Sequence, residues 1–247
     1  MGNGIHLIMP MGGAGTRFSN DGFEQPKPLL EISGRPFFFW ATQSIAKFTP
    51  VADITFVVLR QHVERFAIHE EICRYYPGAT IRVLDHVLDG AVLTCLEGVK
   101  EFKDALPVLF NDCDHAFRCQ AFYDFCIKGD FSIPDGALLT FRSRDPKFSF
   151  LQLDETGKVT HTVEKQAVSD HAICGAYYFR NANLFQRAAT RYLENCTYKE
   201  FFLSGVYNEL ANMGGTIRPF ETDMHLPFGT PEEYVQAKCS SEFEALV

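Results

Sequence analysis

The sequence predicts an α/β chain, a mixed and mostly parallel sheet with helices on both faces and added antiparallel strands in its C-terminal half. Three observations lead there. From Gly4 to Lys128, short apolar runs rich in β-branched residues alternate with helix-length segments, the rhythm of strand–helix–strand units and of a Rossmann-like sheet. Beyond Pro134 extended segments follow one another instead, with Asp154-Glu155-Thr156-Gly157 as a hairpin turn. The 247 residues, 46% hydrophobic and 22% charged, bury about 70–75% of their unfolded surface at this size, so the core needs no metal or disulfide staple.

Taken in order, Gly4 to Pro10 is a buried strand ending at a Gly-rich turn, and Pro36 to Lys47 is the helix after it. Asp53 to Leu59 reads as a strand, Gln61 to Tyr76 as a helix and Ala79 to Leu84 as a third strand. Gly90 to Phe102 is helical, Leu106 to Phe110 a buried strand running into Asn111-Asp112-Cys113-Asp114, and Ala116 to Lys128 a helix. Gly136 to Ser143, Phe148 to Leu153, Lys158 to Glu164 and Ala172 to Phe179 are extended. Leu184 to Leu193 and Ser204 to Met213 are helices, Thr216 to Phe220 a strand, and Pro231 to Lys238 a helix opened by Gly229-Thr230-Pro231. No linker or repeat divides the chain. One domain over 1–247 is expected, with a nucleotide-binding half at about 1–130 and an acceptor-binding half at about 131–247.

Composition narrows the function. Lys plus Arg is 23 and Asp plus Glu is 31, a net charge of −8, which is a poor match to a nucleic-acid backbone. Small anions stay open, because local cations, backbone N–H groups and Mg²⁺ hold phosphate in an acidic protein. The run Met1 to Thr16 is broken by Pro10, Gly12, Gly13 and Gly15 and carries no basic start, so it reads as neither a signal peptide nor a membrane span. His6 stands where a myristoylation signal has Ser or Thr. A soluble cytoplasmic protein without nucleic-acid or membrane partners is expected. The eight cysteines form no Cys-x-x-Cys pair and mostly lie in apolar stretches, as buried reduced thiols do.

Chemistry concentrates after the first strand. Met9-Pro10-Met11-Gly12-Gly13-Ala14-Gly15-Thr16-Arg17-Phe18 lies where an α/β sheet binds ligands, at a strand's carboxyl end. Glycines let backbone N–H groups approach phosphate oxygens, and Arg17 adds a forked cation. Phe18 stands where a dinucleotide fingerprint has its third Gly, and no Gly-Lys-Ser/Thr follows, so the loop is neither that motif nor a P-loop. Gln25-Pro26-Lys27-Pro28-Leu29-Leu30 and Gly34-Arg35-Pro36 come next. A lysine between two prolines has a restricted backbone, so its ammonium is aimed.

These blocks resemble the nucleotidyltransferases that join a nucleoside triphosphate to a sugar phosphate, whose signature is Gly-Gly-x-Gly-Thr-Arg followed by Pro-Lys-Pro-Leu and Gly-Lys-Pro. The chain is most similar to the branch with Met-Pro-Met-x-Gly-x-Gly-Ser/Thr-Arg-Phe found beside capsule and surface-polysaccharide functions, and is also similar to phosphocholine cytidylyltransferases. The clearest match spans about residues 4–40 and weaker ones reach Tyr234. The resemblance implies that Met11, Gly12, Gly13, Gly15 and Thr16 hold the triphosphate, and that Arg17 and Lys27 meet the phosphate where charge develops. Asp89-Gly90-Ala91 resembles a segment packed against the nucleobase. Asp114 matches the family's metal-binding Asp, with Asp112 either a second ligand to Mg²⁺ or a backbone cap. Glu164 and Lys165, then Gly175-Ala176-Tyr177-Tyr178-Phe179, are similar to the acceptor-side motifs.

Three departures mark the chain: Gln25 and Gln166 stand where the family often has Lys and Pro, and Pro227 where many members carry a second metal-binding Asp. Asp223, Asp112 or water then completes the coordination, or the metal site is altered. The resemblance implies an enzyme that releases pyrophosphate; a nucleotide-sensing subunit that keeps the fold is the alternative. The acceptor stays open between a sugar 1-phosphate and phosphocholine or another small phosphorylated alcohol, and the base is not readable. Phe148, Tyr177, Tyr178, Phe201 and Phe202 are either an aromatic box for a quaternary ammonium or core.

Overall fold

Alternation along each strand places its side chains in one or the other of two cores, one on each face of a nine-stranded sheet. The computed structural model describes residues 4–247, so the start of the Met1–Thr16 run lies outside the described residues. In chain order the first half holds β1 (Ile5–Met11), α1 (Thr16–Asn20), a 3₁₀ turn at Lys27–Leu29, β2 (Glu31–Ile32), β3 (Arg35–Pro36) and α2 (Phe37–Ala46). It continues with β4 (Val51–Leu59), α3 (Arg60–Phe66), α4 (Ile68–Tyr75), β5 (Thr80–Leu84), α5 (Ala91–Val99), β6 (Val108–Asn111), β7 (His115–Arg118) and α6 (Gln120–Lys128). The second half holds β8 (Gly136–Arg142), β9 (Ser149–Leu153), β10 (Val159–Glu164), β11 (His171–Phe179), α7 (Ala182–Asn195), α8 (Val206–Asn212), β12 (Ile217–Glu221), β13 (Met224–Pro227) and α9 (Pro231–Lys238).

β5, β4, β1 and β6 are parallel neighbours in that order. β11 then runs antiparallel to β6, β8 antiparallel to β11, and β12 parallel to β8. The antiparallel pair β9–β10 joins beside the start of β11 through Ala172 and Phe150. The expected mixed α/β architecture is therefore present, with one sheet drawing strands from both halves.

Both faces are covered, which is why β1 and β6 read as continuous apolar runs. Leu7, Met9 and Met11 of β1 and Leu109 of β6 enter the core under α2, α4, α6 and α9. Ile8, Val108 and Phe110 enter the other, under α5, α7 and α8. α2 alone buries Phe37, Phe38, Phe39 and Trp40, and a buried Phe contributes about 1.5–3 kcal/mol. Connections leave β1 toward β4 while β6 lies on its other side, so the order reverses between β1 and β6, the place where such sheets open a ligand crevice.

Two expected helices differ. The segment Gln61 to Tyr76 is two helices broken at Ala67, which adopts φ 48°. In one continuous helix His62 and Ile68 would face about 120° apart; the break lets His62 on α3 and Ile68 and Ile72 on α4 all turn inward. The helix expected from Ala116 begins only at Gln120, because His115–Arg118 is β7, paired antiparallel with β13. That partner lies more than a hundred residues away, beyond reach of any local pattern. Five of the cysteines, Cys95, Cys113, Cys119, Cys126 and Cys174, are buried free thiols as expected, whereas Cys73 and Cys239 are exposed.

Candidate active site

The loops after β1 and β6 meet at the reversal point. Gly12 follows β1 so closely packed that a Cβ there would lie 2.8 Å from Leu84 Cδ1, and Gly15 turns the chain at φ 64° into α1. Met11 is buried in the core; it anchors the loop from below, while Gly13, Thr16 and Arg17 are exposed on it.

Pro26 is extended and Pro28 sits in the 3₁₀ turn, so Lys27 is directed back over the Gly loop, whose Gly15 would place a Cβ 3.5 Å from Lys27 Cβ. Its ammonium donates to Asp114 Oδ2 at 2.8 Å. Burial opposes the charge on Lys27, but Asp114, Cys113 and Asp112 outweigh it and raise the pKa above the ordinary value. Burial likewise works against the Asp114 carboxylate, and the neighbouring Lys27, His115 and Arg17 nevertheless hold its pKa below the usual range. This is a charge pair fixed in a half-buried site.

Asp112 behaves oppositely. Burial first, then the charges of Asp114 and Glu164, push its pKa from 3.8 up to about 7 against the pull of Lys27. Two glycines bring backbone against these carboxylates: a Cβ at Gly229 would lie 2.7 Å from Asp114 Oδ2, and one at Gly175, where φ is 86°, 2.9 Å from Asp112 Oδ2. The backbone locks both ends, Phe228 N–H donating to Asp114 O and Asp112 N–H to Gly175 O, each at 2.9 Å.

From this centre the surface opens in two directions. A cleft of about 170 Å³ is lined by Arg17, Asp112, Asp114, Lys147, Tyr177 and Gly229 among others. On the other side a hollow of about 420 Å³ is lined by Gly12 to Thr16, Asp89 to Ala91, Lys199 and Glu200. A bridging depression shares Arg17 and Gly229 with the first, and Gly15 and Thr16 with the second, and adds Lys27. The expected phosphate loop, the Asp89-Gly90 segment, Lys27, Asp112, Asp114 and Gly175 are thus brought together along one crevice. Gly90 is packed so tightly that a Cβ would lie 2.5 Å from Phe201 N.

The expected acceptor residues fall differently. Glu164 is one hydrogen bond behind the cleft wall, accepting from Ser149 and Ser204, and Ser149 lines the cleft. Lys165, at φ 53°, is exposed with its ammonium 4.9 Å over the Phe202 ring, outside the cleft lining. Lys147, which motif reasoning missed, stands in the lining instead, 2.8 Å from Glu233 and 3.1 Å from Asp145. Glu233 closes a capping box with Thr230 and also accepts from Gly229 N–H. No spacing rule points to Lys147; its place depends on the loop before β9 meeting Glu233 of α9.

Of the possible replacements for the missing second Asp, Asp223 is engaged elsewhere, accepting from Gln120 N–H at 2.6 Å, whereas Asp112 is in the cleft. Pro227 lines the cleft opposite His115. No aromatic box forms: Phe148 and Tyr177 line the cleft, but Tyr178 is core, Phe201 packs on Gly90 and Phe202 lies under Lys165.

No family model and no curated protein matches the chain. Solved structures do. A nucleoside-diphosphate-sugar pyrophosphorylase from Vibrio cholerae RC9 superposes with a TM-score of 0.82 at 22% identity, over 95% of this chain and 100% of that one. The chain shares its fold. The inositol-1-phosphate CTP transferase from T. maritima superposes at 0.76 with 13% identity, over 99% of this chain and 96% of the other. The shared fold therefore runs through both halves, from the Gly loop of β1 to the α9 cap beside Asp114.

Proposed function

We propose that the protein is a nucleotidyltransferase that joins a nucleoside triphosphate to a phosphorylated small-molecule acceptor and releases pyrophosphate. The observation that carries this reading is the convergence of the Gly12–Arg17 loop, the Lys27 ammonium and the Asp112 and Asp114 carboxylates at the sheet's reversal point. Openings lie on both sides of that centre, one for each substrate. The two solved structures of the same fold bear names of this chemistry.

In this reading an acceptor phosphate oxygen attacks the α-phosphorus, the new P–O bond forms in line with the α–β bridging bond that breaks, and pyrophosphate departs. The nucleophile is already anionic at neutral pH, so the site needs no general base. Its work is positioning and charge stabilisation. The Gly loop orients the triphosphate, Asp89 and Gly90 border the base hollow, and Lys27 and Arg17 counter charge developing on the phosphate.

Asp114 and Asp112 suit Mg²⁺. They are two hard carboxylates at a strand end, held into the cleft by Gly229 and Gly175. Mg²⁺ commonly takes one or two carboxylates and completes its shell with substrate phosphates and water. When bound, Mg²⁺ neutralises phosphate charge. The cleft offers Arg17 and Lys147 to an acceptor phosphate, and Lys165 lies outside its lining.

The test is pyrophosphate release from each of the four triphosphates, with Mg²⁺ and a pool of phosphorylated sugars and alcohols. Release that needs both substrates supports the reading. Triphosphate binding with no release under any combination would instead establish a sensing subunit.

A further inference from the structure

We infer that His115 and His225 determine acceptor specificity, as a hydrogen-bonding pair that takes hydroxyl groups on the part of the acceptor beyond its phosphate. The inference rests on the nucleotidyltransferase reading and deepens it. His115 opens β7 and His225 lies on the partner strand β13, where Pro227 pairs with His115 and His225 with Phe117. The two rings stand 5.7 Å apart in the same cleft as Asp112, Asp114 and Lys147.

Three of their nitrogens have unused hydrogen-bonding capacity. His115 is only 3% exposed and lies against the Gly175 backbone, whose carbonyl already accepts from Asp112 N–H, so neither Nδ1 nor Nε2 has a well-formed hydrogen bond among the described residues; His225 Nε2 is buried and unpartnered as well. Buried polar atoms are nearly always paired, and one left open in a cleft wall marks a place for a partner. The rings are also held in place: His115 stacks on Phe117 at 5.4 Å, and His225 lies tilted against Phe141 at 3.9 Å. Gly175 completes the arrangement, since a Cβ there would press to 3.1 Å from His115 Nε2.

The chemistry of the partner follows. An imidazole offers an N–H donor on one nitrogen and a lone pair on the other, and a hydroxyl can answer either. A quaternary ammonium can answer neither; it would expel water from the cleft and leave all three nitrogens unpaired, the situation in which a site rejects an analogue most strongly. Of the cleft carboxyl groups, Asp114 is paired with Lys27 and Glu233 with Lys147, and Asp112 belongs to the proposed Mg²⁺ site. Only Phe148 and Tyr177 of the five candidate aromatics line the cleft. Polyhydroxylated phosphates therefore fit, and phosphocholine does not.

The experiment uses the full chain with glucose 1-phosphate, myo-inositol 1-phosphate and phosphocholine as probes. Long-range ¹H–¹⁵N spectra follow the imidazole nitrogens of the wild type during each titration, and pyrophosphate release gives acceptor kinetics for His115→Leu, His225→Leu, His115→Asn and His225→Gln. The expected result is movement of the His115 and His225 resonances with at least one polyol phosphate and not with phosphocholine. The Leu variants should raise that acceptor's KM about tenfold or more, the amide variants less, with triphosphate affinity unchanged. If His115→Leu fails to fold, the wild-type spectra and His225→Leu still decide. Phosphocholine as the preferred acceptor, still nitrogens, or unchanged KM in the folded Leu variants overturns the inference. Resonances that move with a polyol phosphate while no pyrophosphate is ever released would sink the enzymatic reading and leave the recognition pair standing.

Discussion

Lys27 and Asp114, 87 residues apart in sequence, share a 2.8 Å hydrogen bond across the meeting point of the β1 and β6 loops. The contact joins the one cation whose backbone is fixed by flanking prolines to a carboxylate that its neighbours keep ionised. In the proposed reaction both partners are redirected to substrate, so the pair presets their positions and holds the charges in place until phosphate arrives.

Lys27→Ala should lower kcat by about 100-fold or more, the usual consequence of removing one preorganised charge-stabilising group. Steady-state pyrophosphate release checks it, with cooperative thermal unfolding as the control for folding. A folded variant with unchanged kcat/KM contradicts the assignment.

Asp114→Asn should abolish Mg²⁺-dependent turnover and Asp112→Asn should only weaken it. The second variant also carries a stability signature. The folded state holds the Asp112 proton up to about pH 7, whereas an unfolded Asp releases it near 3.8. Unfolding thus releases a proton in that window, stability falls as pH rises through it, and above pH 7 the full cost of the buried charge is present. Asp112→Asn should raise Tm by several degrees at pH 8.5 in EDTA and by much less at pH 4. Equal shifts at both pH values would contradict a raised carboxyl pKa.

Lys147→Ala should raise the acceptor KM more than Lys165→Ala does, because Lys147 stands in the cleft wall and Lys165 lies over Phe202 at the surface. Exposed charges of the second kind contribute about 0–1 kcal/mol. Calorimetric titration of the triphosphate should be unchanged in both variants, and the reverse order of KM effects would return the acceptor phosphate to Lys165.

At the opposite end of the sheet, His6 is buried between Asp53, 2.6 Å from Nδ1, and Asp104, 2.9 Å from Nε2, and stacks on Phe102 at 4.1 Å. Burial lowers its pKa, but the two carboxylates outweigh burial and raise it above 6.5. A histidine raised on folding contributes stability that is fully present below its unfolded pKa and is lost as pH rises through the folded one. His6→Asn should therefore cost more Tm at pH 5.5 than at pH 8.5. A larger loss at pH 8.5 would show that the ring is held neutral.

The sequence was most informative where chemistry is local. Three glycines before Arg17, a lysine between prolines and an apolar strand ending in carboxylates each state their role within ten residues, and all three meet in the crevice. Legibility ended where position depends on distant partners. The β7–β13 ribbon, which places His115 and His225, joins segments more than a hundred residues apart, and His-Ala-Phe-Arg at 115–118 carries no signal that separates it from the helix after it. Lys147 enters the cleft by contact with Glu233 of α9, a tertiary meeting without a motif. Ala67 breaks a helix that its propensity favours, because His62 and Ile68 must both face the core.

The central claim is transfer of a nucleotidyl group, and the fate of the phosphorus atoms tests it most directly. Incubating the protein with Mg²⁺, a phosphorylated acceptor and triphosphate carrying label at either the α- or the γ-phosphorus distinguishes the possible cleavages. The account predicts that α-label appears in a new acceptor–nucleotide diphosphate, joined through a P–O–P anhydride, and γ-label only in pyrophosphate, with neither product formed by Lys27→Ala at a comparable rate. Label passing from the γ-position to the acceptor, or leaving as inorganic phosphate, would place the attack on a different phosphorus and contradict the geometry assigned to Lys27, Asp114 and the Gly loop.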